Sequence, residues 1–138
     1  MSKPVLVDTG PLVALVDRRD QYHDWAVLQW SALTPPLFTC EAVLAEACHL
    51  LRKFPPGPRA VLEHVARGVL VVSFVLSDEV RPITRLMSRY ANVPMSLADA
   101  CLVRMTEIQS GSHVLTLDGD FRVYRKNGRQ VIPTILPV

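Results

Sequence analysis

A chain of 138 residues, 49% of them hydrophobic, can bury a core of its own without disulfides or a structural metal. Its formal charge of +2 excludes binding to nucleic acid by bulk charge alone, and three cysteines, odd in number and set in apolar runs (Cys40, Cys48, Cys101), exclude a disulfide framework. No apolar run is long enough to span a bilayer or serve as a signal peptide, so the expectation is one cytoplasmic domain over residues 1–138, with no membrane partner.

In chain order, residues 4–7 read as a short strand ending at Asp8, and Gly10-Pro11 opens a helix through residue 16. Residues 21–33 are amphipathic and carry Trp25 and Trp30; Pro35-Pro36 ends them, and residues 37–39 are a second short strand. Strong helix formers fill residues 41–53 until Pro55-Pro56 stops them. A helix over 58–67 is closed by Gly68, and the apolar run 69–72 has the character of a strand covered on both faces. Helices over 77–90 and 96–109 follow, separated by a break at 92–94. A buried-type strand over 113–117 then ends at Asp118-Gly119, and a proline-marked strand over 131–136 sits at a sheet edge. Strands alternating with helices predict an α/β fold: a mostly parallel sheet of about five strands with helices on both sides.

In such sheets ligands bind beyond the carboxyl ends of the strands, near the point where strand order reverses. Asp8 and Asp118 both follow strands, so both carboxylates belong to one sheet edge. Glu46 and Asp99 lie on helices with apolar neighbours at helical spacing, Ala42, Val43 and Leu50 for the first and Met95, Leu102 and Val103 for the second; both are expected to be half-buried. Buried carboxylates must protonate, pair with a base or bind a cation. No basic residue falls beside Asp8, Glu46 or Asp99 on their predicted faces, which leaves a metal. Oxygen-only donors select hard cations, Mg²⁺ or Mn²⁺, and such ions promote phosphodiester hydrolysis. Thr9 and Thr116 stand beside the acids as hydrogen-bond donors. Three of the acids also have a purely structural reading: Asp8 as a helix cap, Asp99 within the capping box Ser96-Leu97-Ala98-Asp99, and Asp118-Gly119 as a turn, with Glu46 the hardest to explain in this way.

The ordered segments Val7-Asp8-Thr9-Gly10, Ala45-Glu46-Ala47, Leu97-Ala98-Asp99-Ala100 and Leu115-Thr116-Leu117-Asp118-Gly119-Asp120-Phe121 resemble the PIN-domain family. The likeness is greatest to the VapC-type ribonuclease toxins and runs along essentially the whole chain, including Asp20-Gln21-Tyr22-His23 and Trp25-Ala26. The resemblance implies a three-layer α/β/α fold, a Mg²⁺- or Mn²⁺-dependent ribonuclease, a homodimer, and inhibition by a small antitoxin protein as in type II toxin–antitoxin pairs. Carried over by position, Asp8, Glu46 and Asp99 match the three main family acids and Asp118 the more variable fourth, as catalytic and metal-binding residues; Asp120 is a weaker match. Arg122, Arg125, Lys126 and Arg129 crowd the segment after the fourth acid, where they read either as an RNA-steering patch or as a solvated turn.

Other chemistries fit less well. Zinc is disfavoured because Cys40, Cys48 and His49 show no C-x₂-C spacing. His23 and His64 lack a partner serine or cysteine in a nucleophile context, and no glycine-rich phosphate loop is present. A phosphoryl-accepting domain built on Asp8 lacks the lysine expected after a late strand. The remaining alternative is a non-catalytic PIN-like module that binds RNA or protein.

Overall fold

The structure, a computed structural model, describes residues 3–137. Along the chain run β1 (Val5–Val7), α1 (Thr9–Val16), α2 (His23–Ala32), β2 (Leu37–Phe38), α3 (Glu41–Leu50), α4 (Pro56–Ala66), β3 (Leu70–Val71), α5 (Val80–Arg89), α6 (Leu97–Ile108) and β4 (His113–Leu115). A hairpin of β5 (Arg125–Lys126) and β6 (Gln130–Val131) precedes the last strand, β7 (Thr134–Ile135). Five strands form one parallel sheet in the order β3-β2-β1-β4-β7, within a three-layer α/β/α arrangement. Central β1 is buried along its length, as its uninterrupted Val-Leu-Val demands; side chains pointing to either face meet a covering layer. Helix α6 lies on β1 and β4 and packs against α5, while α1 packs against α2 and α3.

The chain runs β1, β2, β3 outward on one side of β1, then returns to place β4 on the other, so strand order reverses between β1 and β4. Their register is Val5↔His113, Leu6↔Val114 and Val7↔Leu115, and Asp8 N donates to Leu115 O at 3.0 Å. Both strands therefore end level at the switch point.

Three expectations change. Residues 69–72 were predicted to be covered on both faces, yet β3 is a sheet edge with only Leu70 fully buried. The helix predicted over 77–90 begins instead as a 3₁₀ turn, Leu76–Asp78, with α5 starting at Val80. The strand predicted over 131–136 is two: Pro133, which has no N–H to donate, separates β6 from β7, and its carbonyl accepts from Val114 N at 2.9 Å. The hairpin turns at Asn127 (φ 51°) and Gly128 (φ 82°), a dipeptide suited to the left-handed backbone a tight hairpin requires.

Candidate functional site

Asp8 is the first residue beyond β1 and caps α1: its Oδ1 accepts from Thr9 N at 2.7 Å, while Oδ2 accepts from the buried Thr116 hydroxyl at 2.7 Å. Thr116, just past β4, also accepts from Asp118 N at 2.9 Å, so one side chain ties together the ends of β1 and β4. Asp118 caps the 3₁₀ turn Gly119–Arg122 through Asp120 N at 2.9 Å. Ser96 caps α6 by accepting from Asp99 N at 3.0 Å, which sets Asp99 in the first turn of that helix. Opposite, the Thr9 hydroxyl donates to Glu46 Oε2 at 3.3 Å. Asp8, Glu46, Asp99 and Asp118 thus line one cleft of about 260 Å³, with Thr9, Gly10 and Leu117 between them. The first turn of α1 closely approaches the segment after β4 at Gly10, where a Cβ would stand 3.2 Å from Leu117.

Among the described residues no ion pair involves any of these four acids. Burial pushes the Asp8 carboxyl up to about 6, opposed by its hydrogen bonds from Thr116 and Thr9 and reinforced by the charges of Asp99 and Asp118. Asp99 is also shifted upward, first by burial; the Tyr124 hydroxyl opposes the shift, and Asp118 and Glu46 add to it. The acids therefore sense one another. As they stand, no three acidic, histidine or cysteine side chains among the described residues are drawn together to hold an ion. Threonine hydroxyls hold Asp8 and Glu46, and the carboxylates repel one another.

Both capping and clustering readings of the aspartates hold: Asp8 and Asp118 cap helical turns with one oxygen and still border the cleft. The half-buried position expected for Glu46 is corrected. Asp99 is buried at 9% exposure, but Glu46 is exposed, because Leu50, one turn on, is itself 55% exposed at the cleft rim and only Val43 and Ala47 of α3 reach the core. Asp120 lies outside the cleft lining. Tyr124 was not singled out from the sequence: fully buried, it donates its hydroxyl to Asp99 Oδ2 at 2.8 Å and is braced by the ring edges of Tyr90 (5.1 Å) and Phe121 (5.2 Å). Its contact with Asp99 spans 25 residues, and no local signal marked it. The basic segment divides. Arg125 turns its guanidinium onto the carbonyls of Arg122, Val123 and Tyr124, so it closes the 3₁₀ turn; Arg122 and Arg129 are exposed. Trp25, Trp30 and Leu33 pack against the core, as their helical spacing suggests.

A parallel α/β/α sheet with carboxylates gathered at its switch point defines a class of acidic-cleft domains. The PIN-domain profile matches residues 5–127, and the chain belongs to the PIN-domain family. The crystal structure of Mycobacterium tuberculosis VapC20, a sarcin–ricin loop cleaving toxin, is similar to it, with a TM-score of 0.74 and 25% identity over 86% of this chain and 93% of that chain. No curated protein matches the chain significantly.

Proposed function

We propose that this chain is a metal-dependent endoribonuclease, a single PIN-like domain acting as the cytoplasmic toxin of a type II toxin–antitoxin pair. The observation that carries the reading is the convergence of Asp8, Glu46, Asp99 and Asp118, from four separate segments, on one cleft with no basic side chain in its lining. Burying Asp8 and Asp99 without a basic partner costs stability that their capping and hydrogen-bonding roles alone do not require. Family membership and the likeness to an RNA-cleaving toxin support it. At 25% identity the substrate class, RNA, is carried over rather than a particular loop.

The donor set fits a hard divalent ion: carboxylate oxygens alone, with no histidine or cysteine in the lining. Asp8, Glu46, Asp99 and Asp118 would hold Mg²⁺ or Mn²⁺, which supplies an activated water and neutralises charge on the phosphate oxygens. The chain itself contributes positioning. Thr116 and Thr9 N orient Asp8, Tyr124 orients Asp99, and the first turns of α1 and α6 place backbone dipoles toward the carboxylates.

A small protein partner is supported by a groove of about 950 Å³ bounded by α1, α2 and α4, whose floor includes Leu15, Val16, Trp30 and Phe54. A homodimer belongs to the same reading. No helix of the described residues is long and apolar enough to cross a membrane.

The test is cleavage of a mixed RNA pool under Mg²⁺ or Mn²⁺ titration. Wild type should cleave only with metal, and Asp99→Asn should lower the rate at least about a hundredfold, roughly 3 kcal/mol of barrier. Absence of metal-dependent cleavage, or an unaffected Asp99→Asn, would sink the reading. A non-catalytic binding module would instead show RNA or protein binding that survives loss of the acids.

A further inference from the structure

Helix α5 carries Arg81, Arg85 and Arg89 at successive i, i+4 positions and no acidic residue. Like charges at this spacing oppose one another on a helix, and none of the three is relieved by a carboxylate on the same helix. All three are exposed, and among the described residues none enters an ion pair. Their neighbours from other elements are accounted for. Glu79 and Glu107 are both held by Arg104, at 2.6 and 3.1 Å, and Glu107 also accepts from Asn127 N; Asp78, at the far end, is the one unpaired carboxylate of the groove among the described residues.

Two shallow clefts follow this stripe. One, of about 880 Å³, includes Arg81, Arg85, Thr84 and Ser88; the other, of about 370 Å³, includes Arg85, Arg89 and Asn127, and the two share Pro82 and Arg85. A relay of buried aromatic rings joins the stripe to the acidic cleft, although no α5 side chain lines that cleft. Arg89 donates to Gly128 O at 2.6 Å and lies 5.3 Å over the Tyr90 ring, Tyr90 meets Tyr124 edge-on, and Tyr124 holds Asp99. The stripe runs for about 12 Å along the helix axis, with an arginine backbone position every 6 Å or so of rise.

We propose that the α5 arginine stripe is a second RNA-contact surface, which binds the sugar–phosphate backbone flanking the segment held at the acidic cleft. It rests on the ribonuclease reading for its ligand. Arg81 and Arg85 engage phosphates as a charged track with Ser88 as a neutral donor, the Thr84 hydroxyl being spent on Val80 O at 2.7 Å, and add affinity for long RNA without selecting bases.

The experiment compares wild type, Arg81→Gln/Arg85→Gln and Arg81→Lys/Arg85→Lys on an unstructured RNA of about 40 nucleotides and on a hexanucleotide. Binding is measured in the Asp99→Asn background over a range of salt, and cleavage in the otherwise native chain. The glutamine pair should weaken binding of the long RNA about tenfold and flatten its log–log salt slope by about 1.4, two phosphates at about 0.7 each for single strands. Hexanucleotide cleavage should not change, and the lysine pair should keep most of the slope. Equal weakening on both RNAs, an unchanged slope, or a shift in oligomeric state by light scattering would overturn the proposal, the last by assigning α5 to a contact between copies. If wild type binds long RNA through the stripe yet cleaves nothing, the ribonuclease reading fails and the surface stands; if it binds no RNA, both fail.

Discussion

Asp8 holds two roles with one carboxylate. One oxygen completes the N-terminus of α1, the other is fixed by Thr116, and the cost is a buried charge whose pKa rises to about 6. Because the folded value lies above the unfolded one, the folded chain binds this proton more tightly. The stabilisation is complete below about pH 4 and is lost as pH rises through 6, about 3 kcal/mol in all. In metal-free buffer at pH 7.5, Asp8→Asn should therefore melt higher in urea than wild type, and the difference should vanish at pH 4; an Asn variant no more stable at pH 7.5 would show that the charge is not strained. Tyr124→Phe should act oppositely. Without its hydroxyl the Asp99 carboxylate loses its donor, and stability should fall by about 1–3 kcal/mol by denaturant unfolding, more at neutral than at acid pH. Both aspartates were legible in the sequence as strand-end and helix-face acids, but Tyr124 was not. Its contact with Asp99 spans 25 residues, and nothing in local pattern marks which buried aromatic will meet a carboxylate.

At the scale of elements, caps and close approaches aim the acids. Ser96 starts α6 and so sets Asp99 in its first turn; Ser96→Ala should cost about 1 kcal/mol of stability and loosen that turn, measurable as faster amide exchange over residues 97–100. Gly57, buried in the first turn of α4, faces Leu51, and a Cβ there would stand 2.9 Å from the Leu51 Cβ. Gly57→Ala should destabilise by about 1–3 kcal/mol, since neither Cβ can swing aside, and an unchanged melting temperature would show that α4 can shift instead. The elements themselves followed from proline stops, glycine closures and apolar runs. Errors fell where a tertiary partner decides. The run 69–72 is apolar enough for a central strand, but strand order placed it at an edge; Pro133 divides the last segment because β6 has the hairpin as partner and β7 has β4.

For the whole molecule, gathering four acids in one cleft without a base makes the response of the fold to divalent cations the decisive measurement. If the site holds a hard divalent ion, millimolar Mg²⁺ or Mn²⁺ should raise the melting temperature, by about 3 kcal/mol of stability at a hundredfold excess over Kd, and Asp99→Asn should blunt the rise. A melting curve indifferent to divalent ions in both proteins would count against a shared site. The sequence by itself determined that strands and helices alternate, that a parallel sheet results, and that Asp8 and Asp118 leave the same edge, because hydrophobic period and turn residues act over a few neighbours. Only the tertiary structure decided that β1 and β4 lie side by side, that Thr116 bonds Asp8 in particular and Tyr124 holds Asp99, and that Glu46 stands exposed at the rim. Those outcomes come from packing between segments up to 108 residues apart, which no local pattern encodes.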